Sequence, residues 1–250
     1  PILQLNVASA TVGTGTGLIR NFVLDGNTQT TSTPSSGNGY FNCHIKNFNT
    51  GSSSSLFYYC TATTNSAAVI SGTYHYCCEA YANTATPYNA GVFVNCLSYG
   101  NTGASTDGFS IGQSGSCISC VAYGNGRHGI VFSANNRPIL VVNCILVSNA
   151  GYGLYFASAN AYANYDINSA TYNNTLGART GNGQAIGSIT LTVDPFVNAA
   201  SSNFALNATS GGGALVRATG FPATFPRGLS ASFLDVGAIQ HGFVTQGTPF

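Results

Sequence analysis

The chain has 250 residues, with seven basic and six acidic side chains and a net charge of +1. So few Lys and Arg argue against a nucleic-acid backbone as partner. No run approaches the roughly 18 apolar residues of a membrane span, and 44% hydrophobic content with so little charge is not the composition of a disordered chain. Charged residues make up 5% of the chain, against roughly 25–35% on an ordinary soluble surface. Such a surface is either covered by partners or sugars, or simply sparse in charge.

Taken in order, residues 1–40 read as two strands, PILQLNV and LIRNFVLDGN. The Gly/Thr stretch TVGTGTG separates them, Asp25-Gly26-Asn27 marks a turn, and Thr28 to Gly39 reads as a polar loop. The sequence starts at Pro1, contains no methionine and shows no leader of basic then apolar residues. It therefore reads as a processed chain or an excised fragment, with an extracellular or virion-surface location expected. No amphipathic helix caps the first strand, so its open edge is either continued by removed coils or paired by another chain.

From Phe41 one phrase recurs: FNCHIKNFN, FYYCTATTN, HYCCEAYAN, FVNCLSYGN, CISCVAYGN, VVNCILVSN. It aligns Cys43, Cys60, Cys78, Cys96, Cys120 and Cys144 in steps of 17 to 24 residues. Five residues after the cysteine come Asn65, Asn83, Asn101, Asn125 and Asn149, and Asn168 and Asn173 keep that spacing without a cysteine. A fixed period of this size predicts a solenoid. Alternation through Phe41-Cys43-Ile45 or Val142-Cys144-Leu146 is the period of a strand. The expected fold is all-β, a parallel β-helix with coils of roughly 17–24 residues. It forms a single domain: coils over 1–177 with the core repeat at 41–177, then last coils and a capping segment over 178–250. A second strand per coil is expected at DGFSI, HGIVF and YGLYF, each behind an aligned glycine: Gly108, Gly129 and Gly153.

Beyond residue 177 the period fades. Gly181 to Gly187 reads as a loop and Ser188 to Val193 as a strand. Asp-Pro-Phe, Asn-Phe-Ala-Leu and Asp-Val-Gly-Ala-Ile-Gln follow at 194–196, 203–206 and 235–240. This closing segment resembles that of right-handed parallel β-helix proteins of the pectate-lyase-like superfamily, common in bacterial, environmental and phage sequences. The resemblance spans roughly residues 18–243. It implies a right-handed helix whose last segment folds back over the final coil. It leaves activity open, since the fold hosts lyases, hydrolases, tailspikes and inert surface proteins. DGFSIGQSG is similar to a polygalacturonase motif, but Asp107 stands where that family has histidine, and its other acidic motifs are missing.

The candidate chemistry is sparse. The six aligned cysteines are expected to stack inward, as free thiols or as bonded neighbours, since adjacent strands bring Cα atoms within disulfide range. Zinc is not expected, because Cys117-x-x-Cys120 stands alone; no metal or cofactor is predicted. The acidic residues Asp25, Glu79, Asp107, Asp166, Asp194 and Asp235 are scattered. The weak catalytic candidates are Asp107 with His128 and Arg127, an Asp–His pair that could orient a base or form a plain surface ladder with Tyr152. His44, His75 and His241 read as structural. On the outward face Leu97, Val121 and Ile145, flanked by Tyr81, Tyr99 and Tyr123, predict a partner or glycan face, unless the C-terminal segment covers them. Asn173 and Asn207 fit the N-glycosylation pattern, and Gly51 to Ser55 is open to Ser/Thr-linked sugar.

Three function classes follow. The first is a non-catalytic structural subunit of an extracellular or virion-surface assembly, a homo-oligomer or filament built by stacking coils. The second is a carbohydrate-binding β-helix. The third is a polysaccharide lyase or hydrolase of the same superfamily.

Overall fold

The computed structural model describes residues 1–4, 17–27, 39–51, 56–68, 70–112, 115–132, 138–157, 164–181, 183–220 and 235–239. Strands wind in parallel through three sheets. A ten-stranded sheet runs from Ile2–Gln4 to Ile189–Thr190, a nine-stranded sheet from Leu18–Arg20 to Gly183–Ile186, and a six-stranded sheet from Ile70–Ser71 to Gly177–Thr180. Each step along a sheet is one coil. Leu97, Ser98 and Tyr99 lie beside Val121, Ala122 and Tyr123, which lie beside Ile145, Leu146 and Val147. The molecule is a parallel β-helix, as the repeat predicts. No helix among the described residues is long and apolar enough to cross a membrane.

The corners explain the repeat, and they correct one part of its reading. The residue before each aligned cysteine is left-handed: Asn42, Tyr59, Cys77, Asn95, Ser119 and Asn143 all have φ between 51° and 54°. The phrase is therefore not one strand. A single left-handed residue breaks it into two three-residue strands in two sheets, and the inward parity changes there. Before the corner the buried residues are Tyr40, Phe57, His75, Phe93, Cys117 and Val141, while Phe41, Tyr58, Val94 and Ile118 face outward. After it the inward column is Ile45, Ala62, Ala80, Ser98, Ala122 and Leu146, all fully buried. A second left-handed residue, among them Asn47, Gly100 and Gly124, sits four places after the cysteine and ends that strand.

Like residues stack on like within the tube. Tyr40, Phe57, His75 and Phe93 form a continuous stack with centroids 5.1, 5.3 and 4.6 Å apart. The cysteines fill the corner beside it. Their thiols donate to backbone carbonyls, as Cys96 Sγ does to Val94 O (3.4 Å) and Cys120 Sγ to Ile118 O (3.4 Å). All eight are free thiols.

The asparagines form the second internal column. Asn83 Nδ2 donates to Asn101 Oδ1 (2.9 Å) and to Ala62 O (3.1 Å), and its backbone N–H donates to Asn101 Oδ1 (3.0 Å). The pattern repeats from Asn65 through Asn125 to Asn149. It ends on Asn174, not on Asn173: Asn149 Nδ2 donates to Asn174 Oδ1 (2.9 Å). Asn173 is displaced because it takes the left-handed corner itself, at φ 50°. Buried amides paired in this way meet the requirement that interior polar groups find partners.

The closing segment departs from expectation in one respect. Gly181 to Gly187 is not simply a loop, since Gly183–Ile186 is the last strand of the nine-stranded sheet. Beyond it, Phe196–Asn198 pairs antiparallel with Asn203–Leu206, followed by one helical turn at Gly213–Val216. This unit also reaches the last coils, packing with Ala170, Tyr172, Ile189 and Leu191. It lies along the flank of the ten-stranded sheet, where Phe196, Phe204, Leu206, Val216 and Val236 pack on Val121, Ile145 and Val147 as a second core.

Candidate functional site

That flank unit divides the outer face of the ten-stranded sheet. The outward column two residues after the corner reads Val23, His44, Thr61, Glu79, Leu97, Val121 and Ile145. Val121 and Ile145 are 1% and 0% exposed. The expected partner face of Leu97, Val121 and Ile145 is thus occupied by the chain's own C-terminal segment. Tyr99 packs on Phe204 (centroids 4.8 Å) and Tyr123 on Phe196 and Phe204 (5.9 and 5.6 Å), so neither is an open stacking platform. Of the predicted aromatic trio, Tyr81 is the one that reaches an open surface.

The uncovered half forms a groove of about 720 Å³, lined by Pro1, Phe22, Val23, Cys43 and the polar set Asn21, Asn42, His44, Thr61, Glu79, with Tyr59 and Tyr81. The left-handed corners supply one wall, since Asn21, Asn42 and Tyr59 are all corner residues. The strands supply the floor. From Val23 to Glu79 the groove crosses four strands, about 14 Å at strand spacing. Tyr81 stacks on Tyr99 at 5.0 Å and 16°, which fixes its ring at the end where the flank unit begins.

The electrostatics of the groove centre on Glu79. Asp25, Asp107 and Asp166 pair with Lys46, Arg127 and Arg179. Asp194 accepts the Phe196 amide and Asp235 the Ala218 amide. Glu79 instead accepts the Tyr99 hydroxyl (2.9 Å). Burial pushes its carboxyl above the usual range, and the tyrosine hydrogen bond offsets part of this. His44 holds Thr63 Oγ1 at 2.7 Å. Burial, and then Lys46, lower its pKa, so the ring is neutral at neutral pH. A convergent set of polar groups and shifted carboxyl in a concavity is the physical signature of a binding site.

The other sequence candidates resolve differently. Asp107, Arg127 and His128 do come together on neighbouring coils, but the carboxylate does not hold the imidazole. The buried Asp107 carboxylate takes Arg127 Nε (2.8 Å) and Nη2, and the backbone N–H of His128 (3.1 Å). The His128 imidazole instead accepts the Tyr152 N–H at Nδ1 (2.9 Å) and stacks on Tyr155 at 4.3 Å. Burial holds its pKa down, although Asp107 opposes this. The acid orients a guanidinium and a peptide, not the imidazole. His75 is structural, stacked between Phe57 and Phe93. His241 and Ser52 to Ser55 lie outside the described residues.

The two glycosylation candidates also separate. Asn207 Nδ2 donates to Asp194 O (2.8 Å) and Phe196 O (2.9 Å), and its Oδ1 accepts two backbone amides, so its side chain holds the flank unit together. Asn173 is exposed at a corner. Sequence reasoning read His44 as structural and Glu79 as one of several scattered acids, and did not join their outward column to Tyr59 and Tyr81 as a groove. It also missed the outer aromatic cluster of Tyr58, Tyr59, Tyr74 and Tyr76, with centroids near 6 Å, because parity changes at the corner.

No family model matches the sequence, and no curated protein matches it. Among solved structures, the crystal structure of pectate lyase Pel9A aligns with a TM-score of 0.36 at 12% identity, covering 96% of this chain and 87% of that chain. The β-helix assignment stands on the strand order and register of the three sheets themselves.

Proposed function

We propose that this β-helix binds a neutral oligosaccharide in the groove beside His44, Thr61, Glu79 and Tyr81. The observation that carries this is the division of one sheet face: its apolar half is sealed by the chain itself, and no described residue covers its polar half. Asparagine, threonine and glutamate side chains suit hydroxyl groups, and a rigid tyrosine ring suits the apolar face of a sugar. Charge selects the class of sugar. Lys46 is neutralised by Asp25 at 3.3 Å, and His44 is uncharged. No Lys or Arg side chain lines the groove among the described residues, and Glu79 would repel an acidic sugar. The assembly function anticipated from the sequence loses its lateral contact, because the apolar stripe is internal.

A glycan array followed by titration calorimetry tests the proposal. Neutral glycans should bind and uronic acid polymers should not. Tyr81→Ala and Glu79→Gln should each weaken binding about tenfold, the loss of about 1.4 kcal/mol, with the melting temperature unchanged. An array with no neutral glycan above background, or binding indifferent to both substitutions, would overturn it.

A further inference from the structure

Away from the groove, inside the tube, three sulfurs converge. Cys120 and Cys144 belong to the corner column. Cys117 belongs to the neighbouring column, where Tyr40, Phe57, His75 and Phe93 stand in the earlier coils. Replacing that aromatic series by a thiol brings a third sulfur to the corner. The Sγ atoms of Cys117, Cys120 and Cys144 all lie within 4.8 Å of one another, and all three residues are fully buried. Three sulfurs around one ion at about 2.3 Å stand about 4 Å apart in a plane, so the triad needs only a small contraction. Thiols elsewhere in the corner column, such as Cys60 and Cys78, belong to no such cluster among the described residues.

We propose that Cys117, Cys120 and Cys144 form a buried three-sulfur site for a soft monovalent metal ion of the Cu(I) class. Thiolate sulfur selects soft ions. Zinc takes four ligands in closed sites, and among the described residues no fourth Cys, His, Asp or Glu joins the cluster. Charge balance points the same way, because a fully buried site requires a complex near neutrality. A monovalent ion with one thiolate and two thiols is neutral. On binding, one of the three S–H bonds breaks, three sulfur–metal bonds form and the proton leaves to solvent. No oxidation state changes.

The test uses the full chain, refolded without oxygen in the presence of Cu(I), then freed of excess metal with a Cu(I)-specific chelator. Metal content and copper-edge X-ray absorption are then measured. The expected result is one copper per chain with three sulfur neighbours, and a melting temperature several degrees above the apo chain. Cys117→Val and Cys144→Ser should lower retained copper at least tenfold, whereas Cys60→Ser should keep it. Both lesions suit the fold, since Val141 and Ser169 occupy the same columns one coil later. Absence of copper, fewer than three sulfurs, zinc retained in preference, or an unreduced chain two hydrogens lighter through a disulfide would each overturn the proposal. The sulfur count on the wild-type chain decides the matter even if a variant fails to fold.

Discussion

His75 shows what a single position in the tube must satisfy. It is fully buried in an aromatic stack, with Nε2 3.2 Å from Gly72 O and Nδ1 without a partner. Burial lowers its pKa to about 4, from an ordinary value of 6.5. The folded chain therefore resists protonating it. Its contribution is fully present above pH 6.5 and is lost progressively as pH falls to about 4, to the extent of about 3 kcal/mol. His75→Phe should continue the stack and remove this part of the acid sensitivity; the check is denaturant unfolding of both chains at pH 7.5 and pH 4. Equal pH dependence would show that the ring is not buried neutral. The asparagine column makes a similar contrast. Asn125→Ala removes donors to Ser98 O and Asn149 Oδ1 and should cost about 3 kcal/mol, because buried partners are left unpaired. Asn173→Gly, at an exposed left-handed corner, should stay within about 0.5 kcal/mol. Five columned asparagines were legible in the sequence from their fixed distance to cysteine. The sixth was misplaced by one, because Asn173 and Asn174 are adjacent and periodicity alone cannot say which faces inward.

At the scale of the element, each coil from Ile70 to Thr180 is three short strands, two of them joined by a left-handed corner. The corner before cysteine accepts Asn, Tyr, Cys and Ser, so no glycine column announces it. The repeat was visible and the break within it was not, and for that reason the outward aromatics of the nine-stranded sheet were read as inward. The corner itself is testable. Asn95 has φ 53°, which glycine tolerates and a β-branched residue does not. Asn95→Gly should leave stability within about 0.5 kcal/mol, and Asn95→Val should cost about 2 kcal/mol. Thermal unfolding of the pair measures the difference, and equal values would mean that the corner relaxes to an extended conformation.

At the scale of the whole molecule, the two hydrophobic cores have different origins. The inner one is periodic and was readable. The outer one joins an outward stripe to a closing segment without periodicity, and no pattern in Phe196 to Val236 says which surface it will cover. Phe204 is its centre, touching Tyr99, Tyr123 and Phe196. Phe204→Ala should destabilise the outer core by about 3–5 kcal/mol. It should also turn Val121 and Ile145 outward to solvent, detected as dye binding and concentration-dependent self-association. A monomer that binds no dye would mean that the sheet does not depend on this cover.

The corners also give the chain a kind of reading frame. From the first residue of each strand before the corner to the asparagine beyond it, the spacing is constant: Val92 to Asn101, Ser116 to Asn125, Leu140 to Asn149. All variation in coil length falls outside that window. Extra residues enter before Phe109–Ile111 in one coil and between Ile130–Phe132 and Leu140–Val142 in the next. An insertion there shifts no column, because the following coil restarts its own count at the corner. One residue inserted between Cys120 and Asn125 would throw Ala122 and the amide of Asn125 out of phase with both neighbours. The tube thus behaves as a text with protected words and free spaces. New loops, and with them new surfaces, can be written into the spaces at little thermodynamic expense, whereas the words tolerate no change of length.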